Sequence, residues 1–238
     1  MKKYDALIIG FGKGGKTLAA ALGKKGIKTA VIEKSPLMYG GTCINIGCIP
    51  TKKLIHTAAD AKKNQQADYS EKNNFYAAAI REKNTLTALL RQKNYDNVAA
   101  AADIYTGAAR FQTDHTVEVQ LPDGKISLYG EKIFINTGSE PVIPPITGLQ
   151  LSKRVYTSTT LMELSTLPQR LVIIGGGYIG LGFSATTNTC MLIMAPWSLF
   201  WNTAIPSSRV KTAISPMLSK HVWKSWAFAL SLMHRSMK

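Results

Sequence analysis

Ile8-Ile9-Gly10-Phe11-Gly12-Lys13-Gly14-Gly15-Lys16-Thr17 is the stretch whose reading decides the fold. It ends an apolar run that starts at Tyr4, and Thr17 to Leu22 behind it reads as helix. Gly10, Gly12 and Gly15 stand in the spacing GxGxxG. In a strand-turn-helix unit the first glycine makes the turn, the second lets a pyrophosphate approach the backbone, and the third lets helix and strand pack closely. Ile27 to Glu33 reads as the next strand, and Glu33 lies 23 residues beyond Gly10, where an acid can bind a ribose hydroxyl. Strand, turn, helix, strand and acid in this order predict a dinucleotide site. The competing reading is a glycine-rich turn in an ordinary βαβ unit.

A few residues on comes Gly40-Gly41-Thr42-Cys43-Ile44-Asn45-Ile46-Gly47-Cys48-Ile49-Pro50-Thr51-Lys52. In a regular helix, Cα atoms five residues apart lie roughly 8–9 Å from each other, whereas a disulfide wants roughly 4.4–6.8 Å. If Cys43 and Cys48 pair, the backbone between them must leave helix geometry, which Gly47 and Gly40-Gly41 permit. Pro50 marks a first helical turn, so Cys48 falls at or just before a helix N-terminus, where the dipole favours a thiolate. Lys52 and Lys53 would add to that effect. Two unrelated buried thiols, or half of a metal site, are the alternatives. Zinc sites need four ligands, usually with CxxC-type spacing, and only Cys190 remains, so no metal is expected.

The two motifs together resemble the flavin disulfide reductases, the family of lipoamide dehydrogenase, glutathione reductase and mercuric reductase, whose redox box looks like GGTCxNxGCxPxK. The resemblance runs from residue 4 to about 181. It implies an α/β protein: a Rossmann-like FAD-binding domain over residues 1–145, then the start of a Rossmann-like NAD(P)-binding domain over 146–181. It assigns FAD to Gly10, Gly12, Gly14, Gly15, Glu33, Lys34, Gly41, Thr42 and Lys52, and to Thr137, Gly138 and Ser139 of a T-G-S-x-P turn that leads out of the first domain. Cys43 and Cys48 become the redox-active disulfide, with Cys48 facing the flavin and Cys43 meeting the substrate. A second GxGxxG, at Gly175, Gly177 and Gly180, follows the apolar Leu171–Ile174, and with Tyr178 and Ile179 is assigned NADH or NADPH. Electrons would then run from nicotinamide to flavin to disulfide to substrate.

Between these motifs, residues 51–67 and 71–102 read as helices, the second with a loose stripe of Phe75, Ala79, Leu86, Leu89 and Leu90. His56 on the first of them reads as a surface or core histidine. From Ile104 the period changes to two. Val117, Val119 and Leu121, a turn at Pro122-Asp123-Gly124, then Ile126 and Leu128 predict a β-hairpin. Lys132 to Asn136 reads as a buried strand, and Pro141, Pro144 and Pro145 as a stiff linker.

The formal charge of +15 is unevenly spread. All 14 acidic residues lie between Asp5 and Glu163, and the 75 residues from Leu164 onward hold none. After Leu181 the family wording stops, and all four tryptophans lie beyond it. We read 182–238 as a non-family tail, the product of a frameshift, which predicts a truncated chain that is impaired or inactive and lacks the family's C-terminal dimerisation domain with its acid-base His-Glu pair. The rival reading is a genuine basic tail on a non-catalytic protein, with tryptophans for an anionic membrane or single-stranded nucleic acid; neither partner is expected. The longest apolar run, Met191 to Trp201, is too short to span a bilayer, the start reads as a strand and not a signal peptide, and a cytoplasmic location follows.

For substrate, Gly10-Phe11-Gly12-Lys13, Met38-Tyr39-Gly40-Gly41-Thr42-Cys43 and Gly130 to Gly138 look most like the reactive-chlorine-resistance flavoproteins, which act as hypothiocyanous acid reductases. That resemblance implies a small oxidant or disulfide as substrate. Lipoamide dehydrogenase and mercuric reductase share the box and are the alternatives.

Overall fold

The computed structural model describes residues 1–61, 68–143, 145–146, 149, 153–174 and 197–201. The predicted βαβ unit is present as β1 (Lys2–Ile9), α1 (Lys13–Lys24) and β2 (Thr29–Glu33), the second strand starting two residues later than expected. A single 3-10 turn, Pro36–Met38, leads to two helices at the cysteine box, α2 (Thr42–Asn45) and α3 (Cys48–Ala61). The long α4 (Tyr69–Ala99) follows, opened by a capping box in which Asp68 and Glu71 each satisfy the other's backbone N–H. Then come β3 (Asp103–Thr106), β4 (Ala108–Phe111), β5 (Thr116–Leu121) and β6 (Gly124–Ile135).

Six strands form one sheet in the order β3-β2-β1-β6-β5-β4. β1 is central, parallel to β2 on one side and to β6 on the other. Its residues alternate between two cores, as a parallel strand covered on both faces must. Leu7 joins Ala30, Ile32, Val117, Val119 and Leu128 on one face. Ile8 joins Val31, Phe11, Ala19 of α1 and Val98 of α4 on the other. The C-terminal ends of β1, β2 and β6 therefore open side by side above α1, where open α/β sheets place their ligands.

Three sequence expectations change here. The hairpin is formed as predicted, Leu121 opposite Gly124, but its second arm and the strand at Lys132 are one continuous β6, antiparallel to β5 and parallel to β1. Its end is also not buried: Phe134 is 36% and Ile135 68% exposed, so among the described residues neither face is covered there. On α4 the packed face is Tyr76, Ala79, Ile80, Lys83 and Thr87, while Phe75 and Leu89 stay exposed. A lysine broke the apolar pattern that the eye follows, yet Lys83 is 1% exposed and donates to Met162 O at 2.8 Å and to Glu163 Oε1 at 2.6 Å.

Lys83 thereby fastens the segment around the short helix α5 (Ser158–Leu161) to α4, completing a third core of Ala58, Tyr76, Ile80, Leu161 and Leu167. Lys83→Met keeps the stem but orphans the Met162 carbonyl, so a loss of about 2 kcal/mol is expected. Glu163→Ala leaves the buried Lys83 ammonium without its counter-charge and should cost more, about 3 kcal/mol or above. Urea titrations giving the two variants equal stability would refute the ordering.

Beyond α5, β7 (Arg170–Ile174) pairs in parallel with β8 (Trp197–Trp201). The predicted strand at Leu171 is present, and a second strand, within the stretch the sequence shows only as an apolar run, stands 22 residues after Gly175. Its Trp-Ser-Leu-Phe-Trp composition has high strand propensity.

Candidate active site: a thiol pair on a glycine turn

Gly10 leaves β1 with φ +107°, a conformation open to glycine and strained for other residues. Its N–H donates to Ile32 O of β2 at 2.8 Å, and Asn136 N at the end of β6 donates to Ile9 O at 2.7 Å. The turn is thus tied to both neighbours of β1. α1 then starts with no side-chain cap at Gly12 and no acid in its first turn, and Lys13 and Lys16 lie in that first turn and just past it. Its end is positive by dipole and by charge. Glu33 closes the other side, accepting from Phe11 N at 2.9 Å through Oε2 and from Ser35 N at 3.2 Å through Oε1. Each oxygen keeps a lone pair for a hydroxyl. Lys34 beside it is exposed, as are Thr137, Gly138 and Ser139 past β6.

The cysteine box sits directly on this turn. Gly41 has φ +76°, and a Cβ there would run into the Cα of Gly12. Gly41 opens α2, so Thr42 and Cys43 start that helix; α2 ends at Asn45, and Cys48 begins α3. The helix is therefore interrupted between the cysteines, as pairing requires. Gly47 is needed at the break, since a Cβ there would lie 2.9 Å from Thr42 O. Buried Asn45 holds the interruption in place: Nδ2 donates to Tyr39 O and Gly41 O, both at 3.0 Å, and Oδ1 accepts from Arg91 Nε of α4 at 2.9 Å.

Both cysteines are thiols, Cys43 half-buried and Cys48 exposed. The hydrogen bond with Cys48 pushes the Cys43 thiol above its ordinary pKa, helped by burial and by the charge of a Cys48 thiolate, while Lys13 and Lys16 pull it down. The cations acting on Cys43 are thus those of the glycine turn. Lys53, expected to help, instead pairs with Glu82 at 2.8 Å, and Lys52 points to solvent on α3. Burial holds the Lys16 ammonium below the usual lysine range, and it is hydrogen-bonded to Asn94. Two variants should move Cys43 in opposite directions. In Cys48→Ala, alkylation of Cys43 should begin at lower pH, because the hydrogen bond and the repelling charge are gone; in Lys16→Met it should begin at higher pH. Rate-against-pH curves that shift together would refute this account.

Sequence reasoning found the glycines, Glu33 and both cysteines. It missed Lys13 and Lys16 as neighbours of Cys43, and Asn45, Arg91 and Asn136 as supports. Gly175, Gly177, Tyr178, Ile179 and Gly180, like Cys190, lie outside the described residues. Among the described residues no cluster of three or more His, Cys, Asp or Glu could hold a metal ion, and no helix is long and apolar enough to cross a membrane.

Cys43 in α2 and Cys48 at the start of α3 thus lie against the glycine turn before α1, and residues 4–195 match the family model of the pyridine nucleotide-disulphide oxidoreductases. The chain belongs to that family. The match continues past Leu181. Among its relatives, the probable pyridine nucleotide-disulfide oxidoreductase RclA of Escherichia coli is 49% identical over 187 residues, which are 78% of this chain and 40% of RclA. The mercuric reductase of Streptomyces lividans is 39% identical over 75% of this chain and 39% of its own. A solved structure of a mutant of the HOCl-induced flavoprotein disulfide reductase RclA from Escherichia coli, as a Cu(II) complex, superposes with a TM-score of 0.75 at 44% identity, covering 87% of this chain and 44% of that one. The chain spans about 40% of the length of these curated relatives. This family of oxidoreductases is α/β in architecture, as the sheet here shows.

Proposed function

We propose that the chain binds FAD on the Gly10–Gly15 turn and uses Cys43 and Cys48 to reduce a small oxidant, hypothiocyanous acid, with NADH or NADPH as the ultimate donor. The observation that carries this reading is the stacking of Gly41 on Gly12, which puts the thiols beside the nucleotide turn. The site fits the cofactor: an uncapped, cationic helix end for a pyrophosphate, a turn of four glycines that presents bare backbone beside it, and a carboxylate with free lone pairs for a ribose. When bound, the flavin supplies two-electron transfer between nicotinamide and disulfide. Residues 1–145 make the flavin domain in this reading, and 146–181 open the nicotinamide domain.

The thiols do the remaining work. Cys43, as thiolate, attacks the sulfur of hypothiocyanous acid, and the oxygen leaves as water, so that Cys43 carries a thiocyanate cap. Cys48 then attacks the Cys43 sulfur, forming the disulfide and releasing thiocyanate. Two electrons pass from the thiols to the oxidant. Lys13 and Lys16 favour the Cys43 thiolate against the hydrogen bond and burial that oppose it, and the exposed Cys48 is accessible for exchange with the capped sulfur. A thiol pair kept ready for oxidation belongs in a reducing cytoplasm.

The test is stoichiometric. One equivalent of hypothiocyanous acid added to the pre-reduced chain should remove the Cys43 and Cys48 thiols, leave Cys190 as the one remaining thiol and release one thiocyanate; a stable cap on Cys43 with Cys48 still a thiol would overturn the pairing. Likeness to a mercuric reductase and to a reductase solved with Cu(II) favours a thiophilic metal ion as the second candidate acceptor, which the same assay with Hg(II) or Cu(II) distinguishes.

A further inference from the structure

Gly14 is not one of the three glycines of the dinucleotide spacing, yet a methyl group there would push the Asn136 carboxamide out of its place. Its Cβ would stand 2.9 Å from Asn136 Oδ1 and 3.6 Å from Asn136 Cγ, with no other atom outside its own helix within 4 Å. A Cβ on Gly12 would stand 2.9 Å from Nδ2 of the same carboxamide, and one on Gly15 3.0 Å from it. Nδ2 also donates to Gly10 O at 3.4 Å. The Asn136 carboxamide therefore fills the concavity of the turn and touches all four of its glycines.

We propose that Asn136 is the positioning residue of the flavin turn and that Gly14 is a glycine in order to admit it. This rests on reading the turn as the flavin site. A neutral carboxamide holds the backbone of Gly10 to Gly15 while leaving the positive end of α1, which no side chain caps, to the pyrophosphate. A carboxylate of the same shape would compete for that end.

The test uses the full chain, with FAD affinity read from quenching of flavin fluorescence and Tm measured without FAD. Gly14→Ala should weaken FAD at least about tenfold and lower Tm. Added to Asn136→Ala it should do neither, since the atoms it would meet are gone and alanine suits a helix better than glycine. Gly15→Ala, whose Cβ also meets the backbone oxygen of Gly10, should stay harmful in both backgrounds.

Asn136→Asp keeps the shape and changes the charge. Its Tm should fall without FAD, because a carboxylate oxygen in place of Nδ2 cannot donate to Gly10 O and faces that carbonyl, and FAD affinity should fall at least about tenfold. Relative to wild type, affinity should recover as pH drops through the carboxylate range. Additive losses for Gly14→Ala and Asn136→Ala would overturn the pairing, and unchanged FAD affinity in Asn136→Asp would overturn the positioning role. A wild-type chain that retains no FAD would overturn that role together with the flavin reading, and the Tm cycle would still decide the pairing.

Discussion

Gly10→Ala should cost the fold about 4 kcal/mol or more, the joint scale of a side chain forced into a strained φ and of an overpacked core. The new Cβ at φ +107° would collide with the Asn136 carbonyl, its carbon 2.7 Å away, and with Thr137 N at 3.2 Å. Because the β1–β6 ladder runs up to this point, with Asn136 N bonded to Ile9 O, and Gly10 N is bonded to Ile32 O of β2, the turn cannot yield without breaking the end of the sheet. A domain holds only roughly 5–15 kcal/mol in all, so the variant should lose cooperative unfolding and any FAD retention. Gly26→Ala is the control: φ is +73°, but nothing lies within 4 Å, and about 1–2 kcal/mol is expected. Near-wild-type urea midpoints for Gly10→Ala would mean that the turn is not held as described.

That contrast also shows what sequence could and could not supply. The glycine spacing, Glu33 and the cysteine box were legible because each is a local pattern with its own physical reason, and the βαβ order followed from them. The hairpin was legible from its period of two and its Pro122-Asp123-Gly124 turn. The supports were not. Asn136 lies 126 residues from Gly10, and Arg91 lies 46 from Asn45, and no periodicity links such pairs. Lys83 was hidden for a different reason: a lysine reads as solvent-exposed, and only the tertiary partners Met162 O and Glu163 make its burial tolerable. β8 has the composition of a strand, but a short apolar run is compatible with helix or strand alike, and its pairing with β7 is visible only in the fold.

Serine at either cysteine should abolish the proposed chemistry, with release of thiocyanate from hypothiocyanous acid slowed about a thousandfold or more in single-turnover assays of the pre-reduced chain. A serine hydroxyl is not ionised at neutral pH and cannot replace a thiolate as attacking or resolving group. The two variants should fail differently. Cys43→Ser loses the cation-flanked, half-buried thiol, leaving the exposed Cys48 to be capped. Cys48→Ser leaves Cys43 capped with no neighbour to resolve it. Intact mass should show one cap in each and a disulfide in neither, in a Cys190→Ser background that removes the third thiol. The double variant should be no slower than either single one, because the two sulfurs act as a unit. Thiocyanate release at the parent rate by either serine variant would end the proposal.

β6 behaves as a ruler. Its first half is measured off by the hairpin, starting at Gly124, and its second half delivers Asn136 and Thr137 to the glycine turn, about 40 Å along an extended chain. Because residues alternate between faces, losing one residue at Asp123 would not merely shorten a surface turn. If the hairpin kept its pairing with β5, every residue downstream would arrive one place early, and Thr137 would stand where the carboxamide of Asn136 now meets the glycines. The hairpin tip lies at the opposite end of the sheet from the thiols, yet its length sets the alignment of the nucleotide turn, so insertions and deletions there are governed by the site and not by the solvent that surrounds them.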